Sequence, residues 1–146
     1  MIEYCDGNML LSRCDILVDP VNCRGGVGGL AKGFVTAFPS IEKPYKTLCR
    51  SRQLALGRPV LLSQRVPEIL FFPVKDDWRL PARLEDIESG LVATVKLLQR
   101  QPGRPSIAFP ALGCGLGRLS WRDVKPLMEN YLEPLPNNIE LYLPKG

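Results

Sequence analysis

Ile16-Leu17-Val18-Asp19-Pro20-Val21-Asn22-Cys23-Arg24-Gly25-Gly26-Val27-Gly28-Gly29-Leu30-Ala31 is an apolar run, then four glycines in the five positions 25–29, then the start of an amphipathic stretch. A strand, a glycine loop and a helix in that order make the first half of an α/β unit. Glycines let the backbone approach a phosphate closely, and the free N–H groups and positive dipole end of the following helix attract an anion. The competing reading of the same loop is a mobile turn. Gly26-x-Gly28-x-x-Ala31 satisfies a relaxed dinucleotide fingerprint. The fold that uses it, however, needs a second strand ending in an acidic residue about 20 positions later. Here a second helical stretch with Glu42, Lys43 and Lys46 occupies that place. The P-loop pattern is excluded as well, because Lys32 is followed by Gly33 and not by Ser or Thr.

Outward from this unit, short β-branched runs alternate with amphipathic stretches, and no linker or repeat interrupts them. The strand candidates are Ile2 to Cys5, Ile16 to Val21, Val60 to Ser63, Ile69 to Phe72, Ser106 to Phe109 and Ile139 to Leu143. Leu30 to Phe38 and Ile41 to Cys49 read as helices, with Pro39 ending the first and Ser40 placed to cap the second. The clearest helix is Arg83 to Gln99, where Leu84, Ile87, Leu91, Val95 and Leu98 recur at three- and four-residue steps before Pro102 and Gly103. A last helix is expected from an N-cap at Ser120, with Asp123 in its first turn, to Leu132. One α/β domain over residues 1–146 is the economical organisation.

The chain has 146 residues, 45% apolar and 23% charged, as a compact globule requires. Apolar runs such as Ile69 to Phe72 are far short of the ~20 residues that span a bilayer. Glu3, Asp6, Arg13 and Asp15 are unlike a secretory leader, so a cytoplasmic chain with no membrane partner is expected. Its five cysteines are odd in number and never fall in a C-x-x-C spacing, which indicates neither a disulfide framework nor a zinc site. There is no histidine, which excludes Ser-His-Asp triads, Cys-His dyads and His-ligated metals. A formal charge of +4 favours a phosphate-bearing partner slightly.

Two further segments follow strand candidates, and strand ends are where open α/β sheets bind ligands. Pro110-Ala111-Leu112-Gly113-Cys114-Gly115-Leu116-Gly117-Arg118 repeats the strand, glycine loop and helix order. Two such loops suit a pyrophosphate. Alternatively Gly113 and Gly115 only permit a tight turn, and Cys114 is a small buried hydrophobe. The third segment, Phe72-Pro73-Val74-Lys75-Asp76-Asp77-Trp78-Arg79, joins a lysine, two carboxylates and an indole. Lys75 is the amine nucleophile these loops offer, and to act as one it needs burial or a cationic neighbour to lower a reference pKa of about 10.4. It could equally stabilise phosphate or leaving-group charge as a cation, or be a solvated lysine paired with Asp76 or Asp77.

With these loops in hand, the chain resembles the macrodomains, and specifically the DarG-type DNA ADP-ribosyl glycohydrolases, which are related to the terminal ADP-ribose protein glycohydrolases. The residues that carry the resemblance are Asp6-Gly7-Asn8-Met9-Leu10, Val21-Asn22-Cys23 with the first glycine loop, Phe38-Pro39, residues 72–79 joined to Arg83-Leu84-Glu85-Asp86-Ile87-Glu88-Ser89-Gly90-Leu91, and the loop Gly113 to Gly117 with Trp121. The resemblance implies a three-layer α/β/α macrodomain around a mixed sheet of about six strands. It implies binding of ADP-ribose by Asn8, Met9, Gly25, Gly26, Val27, Gly28, Gly29, Pro110, Gly113, Cys114, Gly115, Leu116 and Gly117, and catalysis by Lys75 with Asn22 beside the distal ribose. The family's adenine-binding aspartate is Asn8 here, which accepts through its carbonyl without the charge. Where protein-directed relatives carry a catalytic aspartate, this chain has Gly117.

The resulting expectation is a hydrolase that frees nucleobases in DNA from ADP-ribose, the antitoxin to a cognate ADP-ribosyltransferase toxin, with no cofactor or metal. ADP-ribosylated DNA would meet Arg24, Arg79 and Arg118, the cations nearest the three loops. The alternatives are a non-catalytic ADP-ribose binding module and a hydrolase of ADP-ribosyl esters on proteins.

Overall fold

The computed structural model describes residues 1–145. Strands β1 (Ile2–Cys5), β2 (Ile16–Asn22), β3 (Val60–Leu62), β4 (Glu68–Lys75), β5 (Ile107–Phe109) and β6 (Ile139–Tyr142) alternate with helices α1 (Gly29–Ala37), α2 (Glu42–Arg50), α3 (Leu84–Arg100) and α4 (Trp121–Leu132). They form one six-stranded sheet in the order β1-β6-β5-β2-β4-β3. Every pairing is parallel except the edge pairing of β3 with β4. The expected mixed sheet and α/β/α layering are therefore present.

The period-2 alternation of the strands sorts their side chains into two layers. Ile16, Val18, Leu70, Phe72, Ile107 and Phe109 pack with Ile87, Leu91 and Leu98 of α3 and Val124, Met128 and Leu132 of α4. Leu17, Val21, Ile69, Phe71 and Ala108 pack with Ala31 and Phe34 of α1, Ile41, and Tyr45 of α2. Covered on both faces, the central strands read as apolar runs, interrupted in β2 by the buried Asp19, and each fully buried Leu, Ile or Phe contributes about 1.5–3 kcal/mol. Gly90 in α3 sits directly over Phe72, where a Cβ would lie 2.4 Å from the ring's Cζ. Only glycine lets that helix approach β4 so closely.

Three local expectations are corrected. Ser40 does not cap α2: it lies inside a 3-10 turn, Pro39–Ile41, that runs straight into the helix. The cap position is Ile41 with helical dihedrals (φ −86°, ψ −17°), whereas side-chain capping needs an extended residue. Ser120 does precede α4 with extended dihedrals, but its hydroxyl makes no capping bond. Strand β4 does not stop before Pro73 but continues to Lys75. Val21 pairs with Pro73 and Asn22 with Lys75, so Val74 is an extra residue in a bulge, a place where a proline's missing N–H is tolerated. That bulge sets Asn22 and Lys75 opposite each other. Strands β5, β2 and β4 are parallel neighbours, so the three loops of interest leave the sheet at one edge. Among the described residues, no helix is long and apolar enough to cross a membrane.

Candidate active site

Asn22 ends β2 and is only 7% exposed. Its Oδ1 accepts from the main-chain N–H groups of Arg24 (2.9 Å) and Gly26 (3.1 Å), and its Nδ2 donates to the Gly26 carbonyl at 3.0 Å. From α2, the buried Tyr45 hydroxyl donates to the Asn22 carbonyl at 2.8 Å, with the Gly26 carbonyl 3.1 Å away. Burial holds that phenol protonated, its pKa well above the ordinary tyrosine range. These side-chain bonds hold the first part of the glycine loop, up to Gly26, in place. Asn22 keeps one Nδ2 proton for a ligand. Tyr45 is a positioning residue that the sequence reading missed, because nothing in a helical apolar pattern announces which loop a hydroxyl will reach.

Lys75 ends β4 across the bulge and is 8% exposed. Its Nζ donates to the main-chain carbonyls of Trp78 (3.1 Å) and Leu116 (3.2 Å), joining the third segment to the second glycine loop. Burial and then the nearby charge of Arg118 lower its pKa, against a smaller opposing pull from Asp77. The alternative of a solvated lysine paired with Asp76 or Asp77 does not hold, since both carboxylates are engaged elsewhere. Asp76 pairs with Arg24 at 3.0 Å. Asp77 receives Nη2 of Arg79 at 2.6 Å and both its Nε and its main-chain N–H at 3.0 Å, bonds that hold the carboxyl well below the usual range. Arg79 also lies 5.8 Å from the ring centre of the exposed Trp78, whose Cδ1 would be 3.3 Å from a Cβ at Gly26.

The second loop separates its glycines by role. Gly113 is left-handed (φ 74°), and its carbonyl receives Leu119 N–H at 2.9 Å. A Cβ at Gly117 would lie 2.5 Å from the Gly113 carbonyl oxygen and 2.9 Å from Ala82 Cβ, so that position is closed to any side chain. At Gly115 a Cβ would meet nothing within 4 Å, which leaves this turn open to a ligand. Leu116 reaches the first loop, its Cδ1 3.4 Å from where a Cβ would stand on Gly28 and 3.1 Å for Gly29. Arg118, exposed beside Lys75, is a left-handed non-glycine residue (φ 65°). Burial pushes the Cys114 thiol up to about 11, as befits a small hydrophobe and not a nucleophile.

At the start of the chain, Asn8 Oδ1 accepts from Leu10 N–H at 3.0 Å and caps the 3-10 turn Met9–Leu11. One carbonyl lone pair remains on Asn8. The Met9 side chain is buried at 3% exposure in the layer of α1 and α2, so Met9 can offer a ligand only its main chain.

The chain that builds this site has matches among known proteins. Residues 18–128 fit the model of the Macro domain family. The chain belongs to that family. This macrodomain is 37% identical over 140 residues to the DNA ADP-ribosyl glycohydrolase of Thermus aquaticus, covering 92% of this chain and 39% of that protein. It is 31% identical over 152 residues to the DNA ADP-ribosyl glycohydrolase of Mycobacterium tuberculosis, covering 100% of this chain and 43% of that one. The macrodomain thus spans about two fifths of the length of the curated relatives it matches. Among solved structures, the macrodomain of Thermus aquaticus DarG superposes with a TM-score of 0.90 at 35% identity, covering 100% of this chain and 99% of that one. Thermosipho africanus DarTG in complex with ADP-ribose superposes with a TM-score of 0.92 at 33% identity, covering 98% of this chain and 41% of that one.

Proposed function

We propose that residues 1–146 form one macrodomain that hydrolyses the bond between ADP-ribose and nucleobases in DNA, acting in the cytoplasm as antitoxin to an ADP-ribosyltransferase toxin. The observation that carries this reading is Lys75, a buried amine held by two neutral carbonyls at the junction of three loops, with its neighbouring carboxylates committed to arginines. The similarity to DNA ADP-ribosyl glycohydrolases supports the choice of reaction, and the five free cysteines support a reducing compartment.

In this reading, main-chain N–H groups of residues 25–29 and 113–117 grip the diphosphate, Asn8 and the Met9 main chain meet the adenine, and Asn22 gives its remaining Nδ2 proton to the distal ribose. A neutral Lys75 Nζ attacks the anomeric carbon, forming a C–N bond as the glycosidic C–N bond breaks. The bonding pair leaves on the base nitrogen, which takes up the proton that Nζ sheds. Water then adds to the adduct, and the free amine and ADP-ribose are released. As a cation, Nζ would instead neutralise charge on the departing base. Arg24, Arg79 and Arg118 are the cations assigned to DNA near the pocket, although the first two are already partly neutralised by Asp76 and Asp77.

The test is release of free ADP-ribose from an ADP-ribosylated oligonucleotide and from an ADP-ribosylated protein, side by side. Release from the oligonucleotide alone is expected. Release from protein alone, or binding without release from either, would overturn the assignment.

A further inference from the structure

Behind the first glycine loop, a cleft of about 550 Å³ opens between that loop, α2 and the chain that follows α2. Arg24, Lys46, Arg50, Arg52 and Arg58 line it, against the single carboxylate of Asp76. Asp76 is paired with Arg24, and Lys46 with Glu42 at 3.2 Å. Among the described residues, Arg50, Arg52 and Arg58 have no carboxylate within ion-pair distance. A chain with a net charge of only +4 has gathered five basic side chains around one recess.

The backbone supplies a second, independent observation. Helix α2 ends with Arg52 N–H donating to the Cys49 carbonyl (3.2 Å) and Gln53 N–H to the Leu48 carbonyl (3.1 Å), the bond pair of a Schellman ending. The residue such an ending holds left-handed is usually glycine, yet here it is Arg52 at φ 60°. Glycine would relax this conformation, so the chain holds a cation at the cleft at some conformational cost.

We propose that this cleft holds the phosphodiester backbone of the single DNA strand bearing the modified base, where it leaves the Lys75 site. The proposal rests on the glycohydrolase reading and extends its DNA contact from Arg24 along the cleft. The cleft adjoins the site along the chain: Cys23 and Asp76, which line it, directly follow Asn22 and Lys75, and the Asp76 carbonyl accepts Cys23 N–H at 3.0 Å. A base that must present its glycosidic bond to a buried lysine has to be unpaired, and a single strand offers it without the cost of flipping it from a duplex. Arg58 also borders a second groove that carries Arg100, which continues the basic path beyond the cleft.

The test combines Arg50→Gln, Arg52→Gly and Arg58→Gln and measures anisotropy of an unmodified single-stranded oligonucleotide across a salt series. Each lost phosphate contact lowers the slope of log K against log [salt] by about 0.7, hence by about 2 for the three, with at least about tenfold weaker binding at low salt. Free ADP-ribose affinity by calorimetry should be unchanged, and on modified oligonucleotide KM should rise while kcat holds. Arg52→Gly alone should keep or raise the melting temperature while lowering DNA affinity. An unchanged oligonucleotide isotherm and slope would overturn the proposal and leave the cleft to an acidic protein. If the wild type releases no ADP-ribose from modified DNA, the glycohydrolase reading falls, while the oligonucleotide slope still decides the cleft.

Discussion

Replacing Lys75 separates what this residue does for the reaction from what it does for the loops. Its Nζ bridges the Trp78 and Leu116 carbonyls, and side-chain truncation leaves both acceptors to water in a pocket where the residue is 8% exposed. The structural loss is expected to be about 1–3 kcal/mol, visible as a lower melting temperature. Loss of a group that acts on the reacting carbon is larger in its effect: about 10²–10⁴ in the single-turnover rate, or about 2.7–5.4 kcal/mol of barrier. Lys75→Ala and Lys75→Met should both show that rate loss while ADP-ribose affinity stays within about threefold, because the glycine loops carry ground-state binding. Methionine keeps most of the apolar stem, so a matching rate loss in both variants ties the defect to the amine and not to a collapsed pocket. The pH profile then assigns the route. Burial lowers the Lys75 pKa, so more neutral amine is present near neutrality than an ordinary lysine supplies. Nucleophilic attack predicts that kcat/KM rises with pH through that lowered value, whereas charge stabilisation predicts that it falls over the same range. Lys75→Arg keeps the cation but cannot supply a neutral amine. Activity in the Arg variant would select electrostatics, and a borohydride-trapped adduct in the wild type would select the covalent route. Full single-turnover activity of Lys75→Ala on modified oligonucleotide would refute the assignment.

Gly115→Val, where a Cβ meets only open space, and Gly28→Val, where it would stand 3.4 Å from Leu116 Cδ1, should keep the fold but weaken calorimetric ADP-ribose affinity by about tenfold or more; unchanged affinity in both removes the loops from the site. Gly117→Asp, by contrast, forces a Cβ to within 2.5 Å of the Gly113 carbonyl and should lower stability by about 1–3 kcal/mol in urea denaturation, and a variant as stable as wild type would show that the second loop re-forms freely. Asp19, buried in β2 at 2% exposure with no partner for Oδ1 among the described residues, has its carboxyl pKa pushed well up by desolvation. The folded chain retains that proton after the unfolded chain has released it near the ordinary value of about 3.9, so stability falls as pH rises from there through the folded-state pKa; Asp19→Asn should flatten the dependence of the urea midpoint on pH, and an unaltered slope would mean Asp19 is not its source.

Helices and strands were legible because burial imposes a period. The two-sided apolar runs of β2 and β4 and the three- and four-residue stripe of α3 state which faces are covered. The end of β4 was not, because Pro73 reads as a stop unless a bulge beside it in the same strand absorbs it, and a bulge is a property of two strands. The same division holds at the site. Glycine loops after strands announce themselves, and Lys75 stood out as an amine in a strand-end loop. Its actual partners, two main-chain carbonyls, carry no residue code at all. Tyr45 and Arg52 were missed for a related reason: one acts through a contact 23 positions away, and the other through a backbone conformation that its residue type disfavours.

The chemistry of Lys75 depends on what has been kept away from it. An ammonium beside a carboxylate gains charge stabilisation and keeps its proton; one beside neutral carbonyls gains less, and burial then tips it toward the free amine. Three positions could have supplied that carboxylate. Asp76 is drawn off by Arg24 and Asp77 by Arg79, each in a direct ion pair. The third is residue 117, where the absence of a side chain is enforced by the Gly113 carbonyl and Ala82. Breaking an arginine pair should therefore act on Lys75 without touching it. In Arg79→Ala, the Asp77 carboxylate loses its bidentate partner, its pull on Lys75 grows, and the lysine pKa should rise. The pH profile of the reaction should move to higher pH, with the sign of its slope unchanged. A profile that stays in place in Arg79→Ala would show that the arginine pairs do not govern the state of the lysine.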